Sequence, residues 1–184
     1  AATQGRVSVL LEPIALYMTK DLHAPGDGGW LAPYPPPGEA APWGKGAVVH
    51  EGGTDPDLVV LTYGNGVFLA LRAAKKLESE GVKARVVDLR WLVPIDRDLC
   101  LAQAREVGRV LVLDECRRTA GPSEEILAAF VEERLDVLVE RVTAVDTYVP
   151  LGPAANLVLP SEEQVVEAAR RLARERVESQ RQEG

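Results

Sequence analysis

Four times along the chain a short apolar run of strand length gives way to a stretch whose apolar residues return with a helical period. The first run, Leu58 to Thr62, ends in the turn Tyr63-Gly64-Asn65-Gly66. Beyond it Leu69, Ala70, Ala73, Ala74 and Leu77 share one helical face, with Arg72, Lys75, Lys76 and Glu78 on the other. Gly81 stands at the C′ position that closes such a helix. Lys83 to Leu89 repeats the strand signal, and Pro94 with Asp96 opens a second helix, Asp96 acting as N-cap. Arg109 to Leu113 is a third strand, followed by a helix from about Ser123 to Arg134 with Glu124 and Glu125 in its first turn, where the helix dipole favours negative charge. Val137 to Val142 is the fourth strand. A last helix runs from about Ser161 to Glu178, with Ser161 and Gln164 spaced as a capping box. Strands that are apolar throughout need cover on both faces, and short strand–helix–strand connections return in parallel through right-handed crossovers. The expected fold is therefore α/β, a three-layer sandwich around a largely parallel sheet.

The composition narrows function by exclusion. Apolar residues make up 46% and charged residues 27% of the 184, the balance of an ordinary globular domain. The net charge is −7 with no sustained basic block, which argues against a nucleic-acid groove. Cys100, Cys116, His23 and His50 do not fall within metal-ligand spacing of one another, and two isolated cysteines suit a reducing compartment. No apolar run approaches the length that spans a bilayer, and Ala1 to Leu10 lacks the pattern of a signal peptide. A cytoplasmic protein without membrane or nucleic-acid partners is expected.

The start of the chain reads differently. It lacks an initiator Met, and Arg6-Val7-Ser8-Val9-Leu10-Leu11 looks like the last strand of something before Glu12-Pro13. A piece of a longer protein would explain both features, as would processing. From Asp21 to Gly46 proline and glycine alternate densely, which excludes a helix or a central strand. Trp30, Leu31, Tyr34 and Trp43 nevertheless lie inside this stretch, so it is expected to be a loop pressed onto a surface.

Three segments could carry chemistry. Gly64-Asn65-Gly66 opens a helix after a strand, where dinucleotide folds bind phosphate, but Leu69 occupies the place of the third glycine. A plain tight turn is therefore the favoured reading. Asp114-Glu115-Cys116-Arg117-Arg118-Thr119 follows a parallel strand, and Cys116 beside two arginines could be an activated thiol. No histidine follows to serve as its base, so a charged loop making inter-domain salt bridges is the favoured reading. In Asp88 to Asp96, Asp88 and Arg90 could pair on a substrate carboxylate. Alternatively Arg90 ties down the turn and Asp96 caps the helix.

Taken in order, Glu12-Pro13, Thr62-Tyr63-Gly64, Asp88 to Asp96, Asp114-Glu115 with Thr119-Ala120-Gly121, Arg141-Val142-Thr143, Asp146-Thr147 and Leu159-Pro160-Ser161 resemble a known family. The chain is similar, from about Val7 to Leu172, to the C-terminal domain of the beta subunit of thiamine-diphosphate-dependent 2-oxoacid dehydrogenases of branched-chain or pyruvate type. That domain is of the transketolase C-terminal type.

The resemblance implies a division of the chain. Residues 1–20 would be the tail of a preceding pyrimidine-binding domain and 21–46 the connecting loop. The α/β domain would span 47–178, and 179–184 would be a tail. The parent would be an oxidative decarboxylase, with an alpha–beta fusion as one form of it. It would hold thiamine diphosphate and magnesium between the alpha region and the pyrimidine-binding domain, so that this chain binds no cofactor and carries no catalytic residue. Its own role would be assembly: homodimer pairing, contact with the other domains through Arg90, Asp114, Arg117 and Arg118, and docking of the dihydrolipoyl acyltransferase core through Asp136. A solvated Asp at a helix end would read the same way as the last of these.

The chain departs from the family's usual His-Glu-Ala-Pro at Asp114 to Arg117 and carries Tyr148 where a proline is common. It is also shorter between Gly121 and Arg141. Two other readings stay open: the matching domain of a transketolase or deoxyxylulose-phosphate synthase, and a free-standing module using the Gly64 turn for a nucleotide.

Overall fold

The computed structural model describes residues 5–175 of the chain. Five strands form one sheet: β1 (Ala47–His50), β2 (Leu58–Thr62), β3 (Ala84–Asp88), β4 (Arg109–Arg117) and β5 (Leu138–Ala144). Four helices accompany them: α1 (Asn65–Glu78), α2 (Arg97–Val107), α3 (Pro122–Glu132) and α4 (Glu162–Arg174). The strand order is β1-β3-β2-β4-β5, with β1 antiparallel to β3 and the other pairings parallel.

Alternation along β2 sorts the core into two layers. Leu58 and Val60 face α1 and α4, where they meet Ala70, Ala73, Leu77, Val165, Ala169 and Leu172. Val59 and Leu61 face α2 and α3, against Cys100, Ala104, Ile126, Ala129 and Phe130. All five residues of β2 are buried. Each fully buried Leu or Val contributes about 1.5–3 kcal/mol, so the centre of the sheet holds most of the stability. Alanines on the helices keep the layers close.

The helix ends are fixed locally, as the sequence indicates. The amide of Val82 donates to Leu77 O at 3.0 Å across Gly81, whose φ is +81°. Asp96 accepts from Leu99 N, and Ser161 and Gln164 form the reciprocal capping box. Most boundaries agree to within about two residues, and two differ by more. β4 continues to Arg117, because after an irregularity Arg117 pairs with Ala144 of β5. The last helix ends at Arg174, and residues 176–178 and the expected tail 179–184 lie outside the described residues.

The expectation of a strand over Arg6 to Leu11 is not met. These residues carry no regular structure, and Val7 is 97% exposed. A strand needs a neighbour, and the segment pairs with neither edge of the sheet. The proline-rich stretch is divided. Trp30 packs edge-on against Phe68 at 5.2 Å, and Trp43 lies 4.5 Å from Trp91, whereas Leu31 and Tyr34 stay exposed.

Two carboxylates replace the backbone partners that the stretch cannot supply for itself. Asp27 accepts from the amides of Leu22, His23, Ala24 and Gly29 at 2.7–2.9 Å, and Asp21 accepts from those of Gly26 and Gly28. The loop is then clasped to α1, where Arg72 Nη1 donates to Leu22 O at 2.6 Å.

The amides around Asp27, that of Gly29 foremost, hold its carboxyl far below the usual aspartate range. A depressed carboxylate contributes order above its ordinary value of 3.8 and loses it as pH falls toward the folded-state value. Asp27→Asn, which gives up one charged acceptor oxygen, will therefore speed hydrogen exchange at Leu22, His23 and Ala24 while leaving β2 protected. Unchanged exchange at those three amides would show that the carboxylate does not hold the loop.

Candidate functional site at the carboxyl edge of the sheet

The chain leaves β2 toward β3 on one side, then crosses back through α2 to β4 on the other. Strand order thus reverses between β2 and β4, and open α/β sheets bind their ligands outside the carboxyl ends of strands at such a point. The ladder pairs Val59 with Val110, Val60 with Leu111 and Leu61 with Val112. Continuing that offset sets Tyr63 beside Asp114.

Asp114 is 1% exposed, and both of its oxygens are used within the chain. Oδ1 accepts from the Tyr63 hydroxyl at 2.6 Å and from Cys116 N at 2.9 Å. Oδ2 accepts from Ser123 N at 2.9 Å, in the first turn of α3, where the dipole favours the charge. Gly121 makes this approach possible. A Cβ there would stand 2.8 Å from Asp114 Oδ2 and 2.7 Å from Arg117 O, so a larger residue would push α3 off the carboxylate. Burial, and then the hydrogen bond and charge of Asp114, raise the Tyr63 phenol above its ordinary 10. Tyr63 therefore stays a donor. Beside this pair, Asn65 Nδ2 donates to Glu115 Oε1 at 2.8 Å.

The Gly64 turn is built for packing. Gly66 N donates to Tyr63 O and Val67 N to Gly64 O, so two of the first amides of α1 are already used. A Cβ on Gly66 would collide with Thr62 Oγ1, which sets the close approach of helix to strand, and a Cβ on Gly64 would touch Pro13 Cγ at 3.6 Å. Acidic side chains on one side and Glu12-Pro13 on the other do not fit a diphosphate.

The residues expected to face other domains are spread along this edge. Arg90 holds φ +58°, its amide donating to Asp88 Oδ1 at 2.9 Å, and its side chain is exposed. Asp88 is raised from the usual aspartate value by burial. The turn-holding reading of Arg90 and the capping reading of Asp96 are both met. Arg117 donates through Nε to Thr119 O, and Arg118 is exposed with its carbonyl accepting from Arg141. Asp114, expected among them, turns inward instead. Asp136 is exposed two residues before β5, at the amino end of the sheet, away from the other four.

Cys116 is half-buried, and Cys100 is buried on α2 with its thiol pushed up to about 12 by that burial. Among the described residues no group of three or more His, Cys, Asp or Glu could hold a metal ion, and no helix is long and apolar enough to cross a membrane. The sequence reading missed the Tyr63–Asp114 bond. Its signal was a Tyr and an Asp each closing an apolar run, which becomes informative only once the two runs are known to be neighbours in register.

A doubly wound α/β domain whose reversal point is filled by its own side chains is the class that this geometry defines. The model of the family described as "Transketolase, C-terminal domain" matches residues 44–165, and the chain belongs to that family. It is similar to the pyruvate dehydrogenase E1 component subunit beta of Bacillus subtilis, 37% identical over 132 residues, covering 70% of this chain and 40% of that protein. The same subunit of Staphylococcus epidermidis is 35% identical over 130 residues, covering 69% and 39%. Among solved structures, a split-gene transketolase described as an inactive beta4 tetramer superposes with a TM-score of 0.63 at 31% identity, covering 71% and 42%. The chain spans about 40% of the length of the curated relatives it matches.

Tyr63→Phe leaves a buried carboxylate short of one donor and will lower the unfolding free energy by about 1–3 kcal/mol. The sign with pH is fixed by the raised phenol. The contribution is complete below the ordinary value of 10 and is lost as pH rises beyond it, so wild type and variant converge in alkali. Urea unfolding at neutral and alkaline pH measures this, and equal stability at neutral pH would contradict it.

Proposed function

We propose that this chain is the assembly and partner-docking domain of the decarboxylating component of a 2-oxoacid dehydrogenase complex. The observation that carries the reading is the closed reversal point, in a chain related to E1 beta subunits: where a ligand would bind, Tyr63 bonds Asp114, and Pro13 lies against the Gly64 turn. In this reading the decarboxylation of a 2-oxoacid, branched-chain or pyruvate, and the transfer of the acyl group to lipoyl arms are carried out on thiamine diphosphate and magnesium. Both are held by the alpha and pyrimidine-binding regions of a cytoplasmic parent. Those regions also choose the acid.

Arg90, Arg117 and Arg118 at the carboxyl edge face those regions. Asp136, at the opposite end, takes a basic segment of the dihydrolipoyl acyltransferase core, where exclusion of water strengthens the pairing. The exposed apolar run Val7, Val9, Leu10 and Leu11 supports the placing of residues 1–20 in a neighbouring domain, since a lone soluble domain rarely shows such a run. Subunit pairing across a two-fold axis covers further surface. The transketolase-like neighbour keeps a second reading in play, the same scaffold in a transketolase.

Titration calorimetry of this chain with thiamine diphosphate and magnesium will give no saturable heat, and tight uptake would overturn the assembly reading. Asp136→Lys will abolish capture of the acyltransferase core by the full enzyme while leaving the unfolding midpoint unchanged. Undiminished capture would remove Asp136 from the docking surface.

A further inference from the structure

β5 is an edge strand, paired on one side with β4 and, among the described residues, with nothing on the other. Its outward groups can be assigned. Leu138 N donates to Gly108 O, so Leu138 points its backbone groups at β4. Successive residues alternate in a parallel ladder, so Val139, Arg141 and Thr143 turn their N–H and C=O groups away from the sheet. A groove of about 210 Å³ runs along this side. Its floor is four consecutive residues, Glu140 to Thr143, which can line one cavity together only because the strand's edge faces it. One wall is the exposed stripe Gln164, Glu167 and Arg171 of α4, spaced as one helical face, and the other is Arg118.

Three arginines, Arg118, Arg141 and Arg171, line the groove with Glu140 and Glu167, and its basic side is that of Arg118 and Arg141. Glu140 is neutralised by Arg171, whereas neither Arg118 nor Arg141 has a carboxylate within 4 Å among the described residues. Arg141 is held in place through Nη1 by Arg118 O and Ser123 Oγ at 3.3 and 3.4 Å, with its other donors uncommitted. A strand laid beside β5 would send alternate side chains to the two faces of the sheet. One set meets Arg118 and Arg141, the other the wall of α4. We infer that the free edge of β5 takes an extended, acidic segment of a partner protein as a sixth strand, with a carboxylate at every second position paired to Arg118 and Arg141. Unpaired backbone groups supply the ladder and the arginines supply the selection. A second copy of this chain is disfavoured there. Two-fold pairing centred on Arg141 would set two guanidinium groups opposite each other, and like charges directly opposite are destabilising. The inference does not depend on the decarboxylase reading.

The test uses the full chain and fluorescent hexapeptides with Glu alternating with Val, followed by polarisation and by amide shifts. Saturable binding at peptide concentrations up to about 1 mM is expected, with the largest shifts at Val139, Arg141 and Thr143. A Lys-for-Glu peptide will not bind, nor will the Glu peptide N-methylated on alternate amides, which keeps its charge but cannot complete the ladder. Arg118→Glu, on an exposed loop that the core does not need, and Arg141→Glu will each weaken binding at least about tenfold. Absence of saturable binding, equal binding of the N-methylated peptide, or self-association through β5 in place of peptide uptake would each overturn the proposal.

Discussion

Asp114 is a buried carboxylate at the point where the strand order reverses, and the carboxyl end of the domain is organised around it. A charge in that place is tolerable only if its oxygens are fully engaged. Tyr63 from the end of β2, the amide of Cys116 in β4 and the amide of Ser123 in α3 engage them. Three elements, one of them reached across 51 residues of sequence, are thereby tied at one spot. Gly121 and Gly66 are small because this closure needs α3 and α1 nearer than a Cβ allows. What is an open crevice in a nucleotide-binding relative of the architecture is here a joint.

Closing that crevice leaves the outer rims of the domain for interaction, and the rims differ. The carboxyl end presents Arg90, Arg117 and Arg118, while the amino end presents Asp136. The two edges of the sheet differ as well. β1 is short and antiparallel, and β5 is longer and lined with arginine.

The centre of the fold was legible because its signals are local. Runs such as Leu58 to Thr62 and the 3.6 period of α1 are written in contiguous residues, as are the caps at Asp96 and Ser161. β1 was not legible: four residues, two of them exposed, carry no period. Arg6 to Leu11 has the composition of a strand, but a strand needs a neighbour, and the segment pairs with neither edge of the sheet. The Tyr63–Asp114 bond depends on two strands whose residues stand 51 apart lying side by side, which no local window records. The turn at Gly64 to Gly66 was legible too, but the reason for the second glycine, the collision of a Cβ with Thr62, needed the packed helix.

In the function proposed above, these 184 positions form a scaffold whose reacting groups lie on other polypeptide. The most direct measurement is 2-oxoacid decarboxylation, followed with an artificial electron acceptor in the presence of thiamine diphosphate and magnesium, for the purified chain and for the full-length parent. Turnover by the parent and none by the chain above the reagent background is the outcome expected. Turnover by the chain alone would contradict the claim.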